Sequence, residues 1–258
     1  MSCLYDAVIP FHKKDELILP YCVASLKQNA RGLGKIYIVS AEDPEEEGCE
    51  WISETTFPFT KEDVLSYIPH PSRTGWYFQQ LLKLSIFDVV KTDKPYILIF
   101  DSDCIMKKAV SFFEDGHPLF AKGLSEYHEP YFVHINKIIP GLGRQIPDVT
   151  GITHHCLFSR EIINELLIRI ERIHGIPWWK ALLSHVSPNA YFAGMSEYEL
   201  YFNYCLAFHP MLYKFRPLKM ECAEIFTDFQ KSSADIVALH EWGFWSVSFK
   251  EKSPELKM

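Results

Sequence analysis

Two aspartates that follow an apolar run are the residues best placed to do chemistry in this sequence. Asp101 and Asp103 come directly after residues 95–100, whose length and composition predict a strand buried on both faces of a parallel sheet. The carboxyl edge of such a sheet is where open α/β folds bind ligands. Two carboxylates there can hold a hard divalent cation, which in turn can bind a diphosphate. The alternative is that they only cap the following loop.

A helical pattern before that run supplies a second set of polar side chains. Residues 75–90 follow a 3.6-residue period, with Phe78 and Leu81 on the apolar face. The polar face carries Trp76, Gln79, Gln80 and Lys83. Cationic and amide donors suit phosphate and hydroxyl oxygens, so this face could line a site for a phosphorylated ligand. A solvated helix face is the alternative.

The second half of the chain adds candidate acid–base groups. His154 and His155 would point to opposite faces of a strand, so only one could face a site, and a buried core histidine is the alternative for either. Glu197 follows Ser196, a suitable helix cap, and would lie near the positive end of a helix dipole. The ordinary preference for acidic residues in a first helical turn also explains Glu197.

The elements that must position these residues alternate as they do in α/β folds. The sequence predicts strands over 5–10, 35–40, near Ile68, and over 95–100, 131–135, 152–158 and 234–240. It predicts helices over 19–29, 75–90, 159–173, 177–184 and 196–208, with 51–72 otherwise irregular. No repeat or flexible linker divides the chain, which favours one domain over two.

Several function classes are disfavoured by composition and by missing motifs. The net charge of −7 gives no basic footprint for nucleic acid or an anionic membrane. The GxxxxGK[ST], GxGxxG, HExxH and GxSxG motifs are absent, which argues against P-loop enzymes, Rossmann dehydrogenases, zincins and serine hydrolases. Seven cysteines without a CxxC pair, and no signal peptide or transmembrane stretch, predict a cytoplasmic protein, in the host cytoplasm if it is viral.

Three segments together resemble a known enzyme family. They are VIPFHKKD at 8–15, TGWYFQQLLKL at 74–84 and ILIFDSD at 97–103. The sequence resembles the GT-A nucleotide-sugar glycosyltransferases and is most similar to the small soluble DUF6492-like group of bacteria and large algal viruses. The likeness spans about residues 5–245. Many families share the Asp-x-Asp pattern, whereas the segment at 74–84 is much more specific.

The resemblance implies a fold, substrates and a cofactor. The fold would be a single GT-A, Rossmann-like α/β domain over 1–258, with a mixed, mostly parallel central sheet flanked by helices. About residues 1–110 would form the nucleotide-binding half and 111–258 the acceptor-binding half. The donor would be a nucleotide-sugar, with UDP-xylose the first candidate and UDP-glucose and UDP-galactose next. The acceptor would be a glycan hydroxyl, and the cofactor Mn²⁺ or Mg²⁺.

The resemblance also implies roles for individual residues. The donor would meet Pro10, Phe11, His12, Asp15, Arg73, Trp76, Gln79, Lys83, Asp101, Ser102, His154 and His155. The metal would be held by Asp101, Asp103 and His240. In an inverting reaction Glu197 would remove the acceptor proton, with Asp148 the second candidate base. Nothing in the sequence excludes a retaining reaction.

Two rival functions belong to other classes. Phosphohydrolases of the haloacid dehalogenase type also place Asp-x-Asp after an apolar strand and use Mg²⁺, but usually near the N-terminus and with a later acidic pair. A non-catalytic carbohydrate-binding protein would use the abundant aromatic rings as its ligand platform. Metal-dependent binding of a nucleotide-sugar would distinguish the proposed enzyme from a lectin.

Overall fold

The computed structural model describes residues 3–122, 127–223 and 226–239. Its strands are β1 (Tyr5–Pro10), β2 (Ala30–Arg31), β3 (Leu33–Ser40), β4 (Glu50–Ser53), β5 (Tyr96–Phe100), β6 (Cys104–Met106), β7 (Val110–Ser111), β8 (Phe113–Glu114), β9 (His117–Ala121), β10 (His155–Ser159), β11 (Lys214–Arg216), β12 (Met220–Cys222) and β13 (Ile236–Ala238). Its α-helices are α1 (Leu19–Asn29), α2 (Lys61–Tyr67), α3 (Thr74–Leu84), α4 (Ile86–Val89), α5 (Glu129–Ile138), α6 (Arg160–His174), α7 (Trp178–Ser184), α8 (Glu197–Phe208) and α9 (Phe226–Lys231).

A five-stranded, mostly parallel sheet organises the fold. Its strand order is β10-β5-β1-β3-β4. The pairs β5–β1, β1–β3 and β3–β4 are parallel, whereas β10 runs antiparallel to β5. The carboxyl ends of β1 and β5 therefore lie side by side, and the segments that follow them meet at one edge of the sheet. The predicted mixed α/β architecture with a mostly parallel central sheet is confirmed.

Strand β1 shows why this sheet is buried on both faces. Tyr5, Ala7 and Ile9 belong to an apolar cluster that includes Leu26 of α1, whereas Val8 belongs to a cluster on the opposite face. Successive side chains of a strand point to opposite faces, so an uninterrupted apolar strand needs cover on both sides. Helix α1 covers one face, and the second cluster includes residues of α3, α6, α7 and α8.

Helices α3 and α8 pack together and supply polar groups to the site. Helix α3 begins after a 3₁₀ turn at Pro71–Arg73 and ends before Ser85, so the predicted helix over 75–90 is two helices. Helix α8 begins at Glu197, and its Ser196 cap accepts a hydrogen bond from the Glu199 backbone N–H at 3.2 Å. The predicted helix start at Ser196 is confirmed.

Two predicted strands are wrong. Residues 131–135 lie in α5, where Phe132, Ile135 and Ile138 are buried at three-residue spacing, which is a helical pattern. No strand lies near Ile68, which instead ends α2; that helix starts at a capping box between Thr60 and Asp63. The strand of this region is β4, further toward the N-terminus.

No helix among the described residues is both long and apolar enough to cross a bilayer.

Candidate functional site

A cleft of about 390 Å³ opens at the carboxyl edge of β1 and β5. The register of the two strands pairs Val8 with Ile99, so the segments after Pro10 and after Phe100 leave the sheet as neighbours. The cleft brings together most of the residues that the sequence singles out, namely Pro10, Phe11, His12, Asp15, Arg73, Trp76, Gln79, Asp101, Ser102, Asp103 and His154. The carboxyl edge of the sheet is thus the site expected for an open α/β fold.

Asp15 lies at the bottom of this cleft with one oxygen unused. Its Oδ2 accepts a hydrogen bond from the Ser102 hydroxyl, whereas its Oδ1 is buried without a hydrogen-bond partner among the described residues. The nearest cation is the exposed Lys14 ammonium, 3.8 Å from Oδ1. Burial raises the pKa of Asp15 to about 6, and the charges of Asp101 and Asp103 add to that rise, while Lys14 and the Ser102 hydrogen bond oppose it.

Asp101 is held from three sides. Its Oδ1 accepts a hydrogen bond from the Tyr198 hydroxyl at 2.9 Å and lies 2.7 Å from the Lys83 ammonium. Its Oδ2 lies 3.3 Å from His154 Nδ1. Burial by itself would raise the pKa of Asp101, but the Lys83 cation and the contact with His154 outweigh it, so the pKa falls well below its ordinary range.

Lys83 lies beneath the cleft rather than in it. The residue is 3% exposed, and its ammonium contacts Asp101 at 2.7 Å, Glu197 Oε1 at 2.7 Å and the Tyr198 hydroxyl at 3.3 Å. An ammonium has three N–H donors, so these partners use all of them. Burial would lower the pKa of Lys83, but the two carboxylates raise it further, which keeps the side chain charged. The alternative of a solvated face on α3 is therefore excluded at Lys83, and the predicted contact with the donor is not supported, because Lys83 does not line the cleft.

Glu197 faces Lys83 from the first turn of α8. The residue is 4% exposed and does not line the cleft. Its backbone N–H donates to Gln80 Oε1 at 3.1 Å, so both buried polar residues of α3 are committed to the start of α8. Asp148, the second candidate base, is exposed and also lies outside the cleft lining.

The two adjacent histidines are separated, but not by strand alternation, because the strand predicted over 152–158 begins only at His155 and His154 precedes it with a positive φ. His154 lines the cleft, adopts a φ of +54°, and its carbonyl accepts a hydrogen bond from the Asp101 backbone N–H at 3.0 Å. His155 is buried and accepts a hydrogen bond from the Arg216 guanidinium at 3.2 Å. Burial and the Arg216 charge lower the pKa of His155 to about 3. His155 is not brought into the cleft.

The described residues do not complete a metal site. No group of three or more His, Cys, Asp or Glu side chains within them converges on one point as metal ligands would. His240, the third predicted ligand, lies outside the described residues. Asp101, Asp103 and Asp15 do supply carboxylate oxygens, the donors that Mg²⁺ and Mn²⁺ prefer, and the unpartnered Asp15 Oδ1 is a further acceptor at the same edge.

Sequence reasoning misses several residues of the site. Lys14, Glu54 and Lys61 also line the cleft, and Lys61 pairs with Glu54 at 2.8 Å. Tyr198 connects Lys83 to Asp101. The sequence signals a role for Tyr198 only through its position next to Glu197 in a predicted helix. Tertiary packing decides which groups a buried hydroxyl contacts, so the sequence does not show these partners.

Comparisons with known proteins identify the fold. Residues 28–245 match the sequence model of DUF6492, a family of unknown function. No curated protein matches the sequence significantly. The apo form of mouse xyloside xylosyltransferase 1 matches with a TM-score of 0.52 at 11% identity, over 92% of this chain and 97% of that chain.

Two structures of LgtC match over 98% of this chain and 96% of theirs. An active-site mutant has a TM-score of 0.50 at 11% identity. The galactosyltransferase LgtC in complex with donor and acceptor sugar analogs has a TM-score of 0.50 at 10% identity. At such identities the likeness shows the fold alone, which is that of the GT-A glycosyltransferases.

Proposed function

This chain belongs to the DUF6492 family, and we propose that it is a glycosyltransferase that moves a sugar from a nucleotide-sugar to an acceptor hydroxyl. In that reaction the acceptor oxygen forms a bond to the anomeric carbon and releases its proton to the solvent. The bond between the anomeric carbon and the diphosphate oxygen breaks, and the nucleoside diphosphate leaves with the bonding electrons.

The observation that carries the proposal is the position of Asp101-Ser102-Asp103. These residues follow β5 into a cleft at the carboxyl edge of the sheet, beside Asp15 and the segment after β1. The fold around that cleft matches three glycosyltransferase structures over most of the chain. No comparable observation favours a phosphohydrolase or a non-catalytic carbohydrate-binding protein.

The donor would lie along this acidic edge. The nucleoside would occupy the end formed by Pro10, Phe11 and His12, while Gln79 would donate hydrogen bonds to phosphate or sugar oxygens and His154 would contact the same ligand. UDP-xylose, UDP-glucose and UDP-galactose are the donors to test first. About residues 1–110 would form this nucleotide-binding half of a single domain, and 111–258 the acceptor-binding half.

The site is suited to a divalent cation. Asp15 Oδ1 is buried without a hydrogen-bond partner among the described residues. Burial raises the pKa of that carboxyl, and the charges of Asp103 and Asp101, which a cation would offset, add to the rise. Asp103 and Asp101 would hold Mn²⁺ or Mg²⁺, with His240 the third proposed ligand. When bound, the cation would neutralise charge on the leaving diphosphate.

Glu197 fits a positioning role better than that of a base. A general base must reach the acceptor proton within hydrogen-bond distance. Glu197 Oε1 is instead 2.7 Å from the Lys83 ammonium, and the side chain is 5% exposed. We therefore assign Glu197 to hold Lys83, which in turn orients Asp101. The inverting mechanism loses the geometric support that Glu197 would have given it.

Titration calorimetry with a panel of nucleotide-sugars tests the proposal. UDP-xylose, UDP-glucose, UDP-galactose and GDP-mannose would be titrated into the protein with Mn²⁺, with Mg²⁺ and with EDTA. We expect saturable binding of at least one donor that requires the cation and is lost in Asp103→Asn. Asp115→Asn is the matched control, because Asp115 lies on a surface turn outside the cleft lining.

Two results would overturn the proposal. One is a folded protein that binds none of the nucleotide-sugars with either cation. The other is hydrolysis of p-nitrophenyl phosphate that depends on Asp101 and Asp103, which would assign the site to a phosphohydrolase. If a protein that binds no nucleotide-sugar nevertheless binds free glycans, the first of these results would indicate a lectin.

A further inference from the structure

A cationic and aromatic rim lies at the end of the cleft that the donor assignment leaves unexplained. It consists of Arg73, Trp76 and Phe192. The Arg73 guanidinium carbon lies 4.2 Å from the centroid of the Trp76 ring and 4.5 Å from that of the Phe192 ring. Phe192 is 65% exposed, so much of its ring is open to solvent.

Arg73 has no carboxylate partner among the described residues. It forms no salt bridge there, and its Nε is buried without a hydrogen-bond partner. Arg169, which also stacks on an aromatic ring, with its guanidinium carbon 4.0 Å from the Phe208 centroid, does pair with a carboxylate, Glu165, at 3.2 Å. Aromatic rings stabilise a guanidinium, but they do not use its fixed N–H fork. The fork of Arg73 is thus available to a planar anion.

The rim is a built feature rather than a chance contact of a surface loop. Tyr77, next to Trp76 in α3, is fully buried, and its hydroxyl accepts from the Gly194 backbone N–H at 2.9 Å and donates to the Ala190 carbonyl at 3.3 Å. The segment between those two residues carries Phe192. Helix α3 therefore fixes the loop that brings this ring to Arg73.

Arg73 and Asp101 lie toward opposite ends of helix α3. Arg73 precedes Lys83 by ten residues, which corresponds to a rise of about 15 Å along the helix axis. Lys83 contacts Asp101, whereas Arg73 comes immediately before the first turn, and both Arg73 and Asp101 line the cleft. The resemblance implies that Arg73 meets the donor, and its position at the other end of the helix favours a different ligand.

We propose that the rim is the acceptor subsite and that it selects a sugar carrying a negatively charged group. This inference rests on the proposed glycosyltransferase function. The Arg73 fork would bind the carboxylate or phosphate of the acceptor, and the open face of Phe192 would support the sugar ring. The loop that carries Phe192 continues into Ser196 and α8. It therefore connects the proposed acceptor subsite to Glu197, which contacts Lys83 beneath Asp101.

Two matched pairs of probes test this proposal. Comparison within a pair shows whether the negative charge increases affinity for the same sugar, and comparison between the pairs shows whether a carboxylate or a phosphate is preferred. One pair is p-nitrophenyl β-glucuronide and p-nitrophenyl β-glucoside, and the other is glucose 6-phosphate and glucose. Affinities would be measured by ligand-observed NMR without a donor. We expect at least one charged probe to bind about tenfold more tightly than its neutral partner. The preferred pair identifies the anion, and either preference supports the proposal.

Variants then assign the preference to the rim. In Arg73→Gln, the affinities for the charged and the neutral probe should differ by no more than about twofold, because glutamine is polar but lacks the positive charge and the N–H fork of arginine. Phe192→Leu should weaken binding of charged and neutral probes alike. Arg169→Gln is the matched control, because that arginine stacks on aromatic rings outside the cleft, and it should leave the ratio of the two affinities unchanged. Thermal unfolding followed by circular dichroism would verify that each variant is folded.

The outcomes separate this inference from the proposed function. A wild-type protein without any charge preference, or a preference that survives Arg73→Gln, would overturn the acceptor assignment. If Arg73→Gln lost nucleotide-sugar binding but kept the same preference for charged over neutral probes, the acceptor assignment would also be overturned, and Arg73 would be assigned to the donor. Failure of every nucleotide-sugar to bind the wild type would refute the glycosyltransferase proposal, whereas the acceptor measurement needs no donor.

Discussion

Lys83 and Glu197, 114 residues apart in the chain, form a buried ion pair with an Nζ–Oε1 distance of 2.7 Å. The same ammonium lies 2.7 Å from Asp101 Oδ1. One cation therefore joins the strand end that carries the Asp-x-Asp pattern to the first turn of α8. Removal of the cation would leave two carboxylates facing each other in a region from which water is largely excluded.

Lys83→Met is expected to destabilise the protein strongly. Breaking a buried ion pair by removing one partner typically costs about 3–5 kcal/mol, because the remaining charge is left uncompensated. Urea unfolding at pH 7 would measure the change. Lys61→Met is the control: Lys61 pairs with Glu54 but is 39% exposed, so its loss should cost less than about 1 kcal/mol. Equal losses of unfolding free energy in the two variants would contradict the buried ion pairs assigned to Lys83.

A double-mutant cycle distinguishes a positioning Glu197 from a catalytic base. If Glu197 only holds Lys83, then Glu197→Gln should have little additional effect once Lys83 is Met, and the two free-energy changes should be coupled by at least about 1 kcal/mol. A base would instead contribute roughly 10²–10⁴-fold to turnover whether or not Lys83 is present. Both unfolding free energies and sugar-transfer rates would be measured for the four proteins. Additive losses of turnover would restore Glu197 as the base.

Local signals in the sequence account for much of the fold. Strand β1 and helix α1 have the predicted bounds, because Pro10 ends the apolar run of the strand and Gly32 follows the helical pattern over 19–29. The strand predicted at 131–135 fails because a short apolar stretch does not distinguish a strand from a helix; the three-residue spacing that continues to Ile138 is the better guide.

The site was less predictable than the fold. Parallel strands bring their carboxyl ends together, so Asp15 and Asp101 could be expected at one edge from the strand pattern alone. The burial of Lys83 could not, since it depends on Glu197 and Tyr198 from a helix far along the chain. The approach of Phe192 to Arg73 depends likewise on a loop position that no periodicity encodes.

Asp15→Asn should change how stability varies with pH. The folded pKa of about 6 lies above the ordinary value of 3.8, so between these values the folded chain keeps a proton that the unfolded chain releases. Stability therefore falls as the pH rises through this window, by an amount on the order of 3 kcal/mol, at about 1.4 kcal/mol per pKa unit. Asparagine keeps the acceptor for Ser102 but does not ionise.

The variant should therefore be more stable than the wild type at pH 7–8, and the difference should shrink toward pH 4. Urea unfolding in EDTA at several pH values would measure it without interference from divalent cations. A stability difference that stays constant from pH 4 to pH 8 would contradict the assigned environment of Asp15.

Gly194→Ala should displace the loop that carries Phe192. A Cβ at this position would lie 2.5 Å from Val186 Cγ1 and 2.7 Å from the Ala190 carbonyl oxygen, and a backbone atom cannot give way as a flexible side chain can. Forcing extra volume into a packed site typically costs about 1–3 kcal/mol. Gly143→Ala is the matched control, because its Cβ would meet nothing within 4 Å. That control should remain within about 0.5 kcal/mol of the wild type.

The displaced loop gives this variant a functional signature as well. The hydrogen bond from the Gly194 N–H to the Tyr77 hydroxyl would be strained, and the Phe192 ring would move away from Arg73. Acceptor affinity should therefore fall in Gly194→Ala, while nucleotide-sugar binding, which we propose for the edge formed by β1 and β5, should stay close to that of the wild type. Both affinities would be measured by calorimetry on the same preparation. A parallel loss of the two would mean that the loop supports the whole cleft rather than its acceptor end.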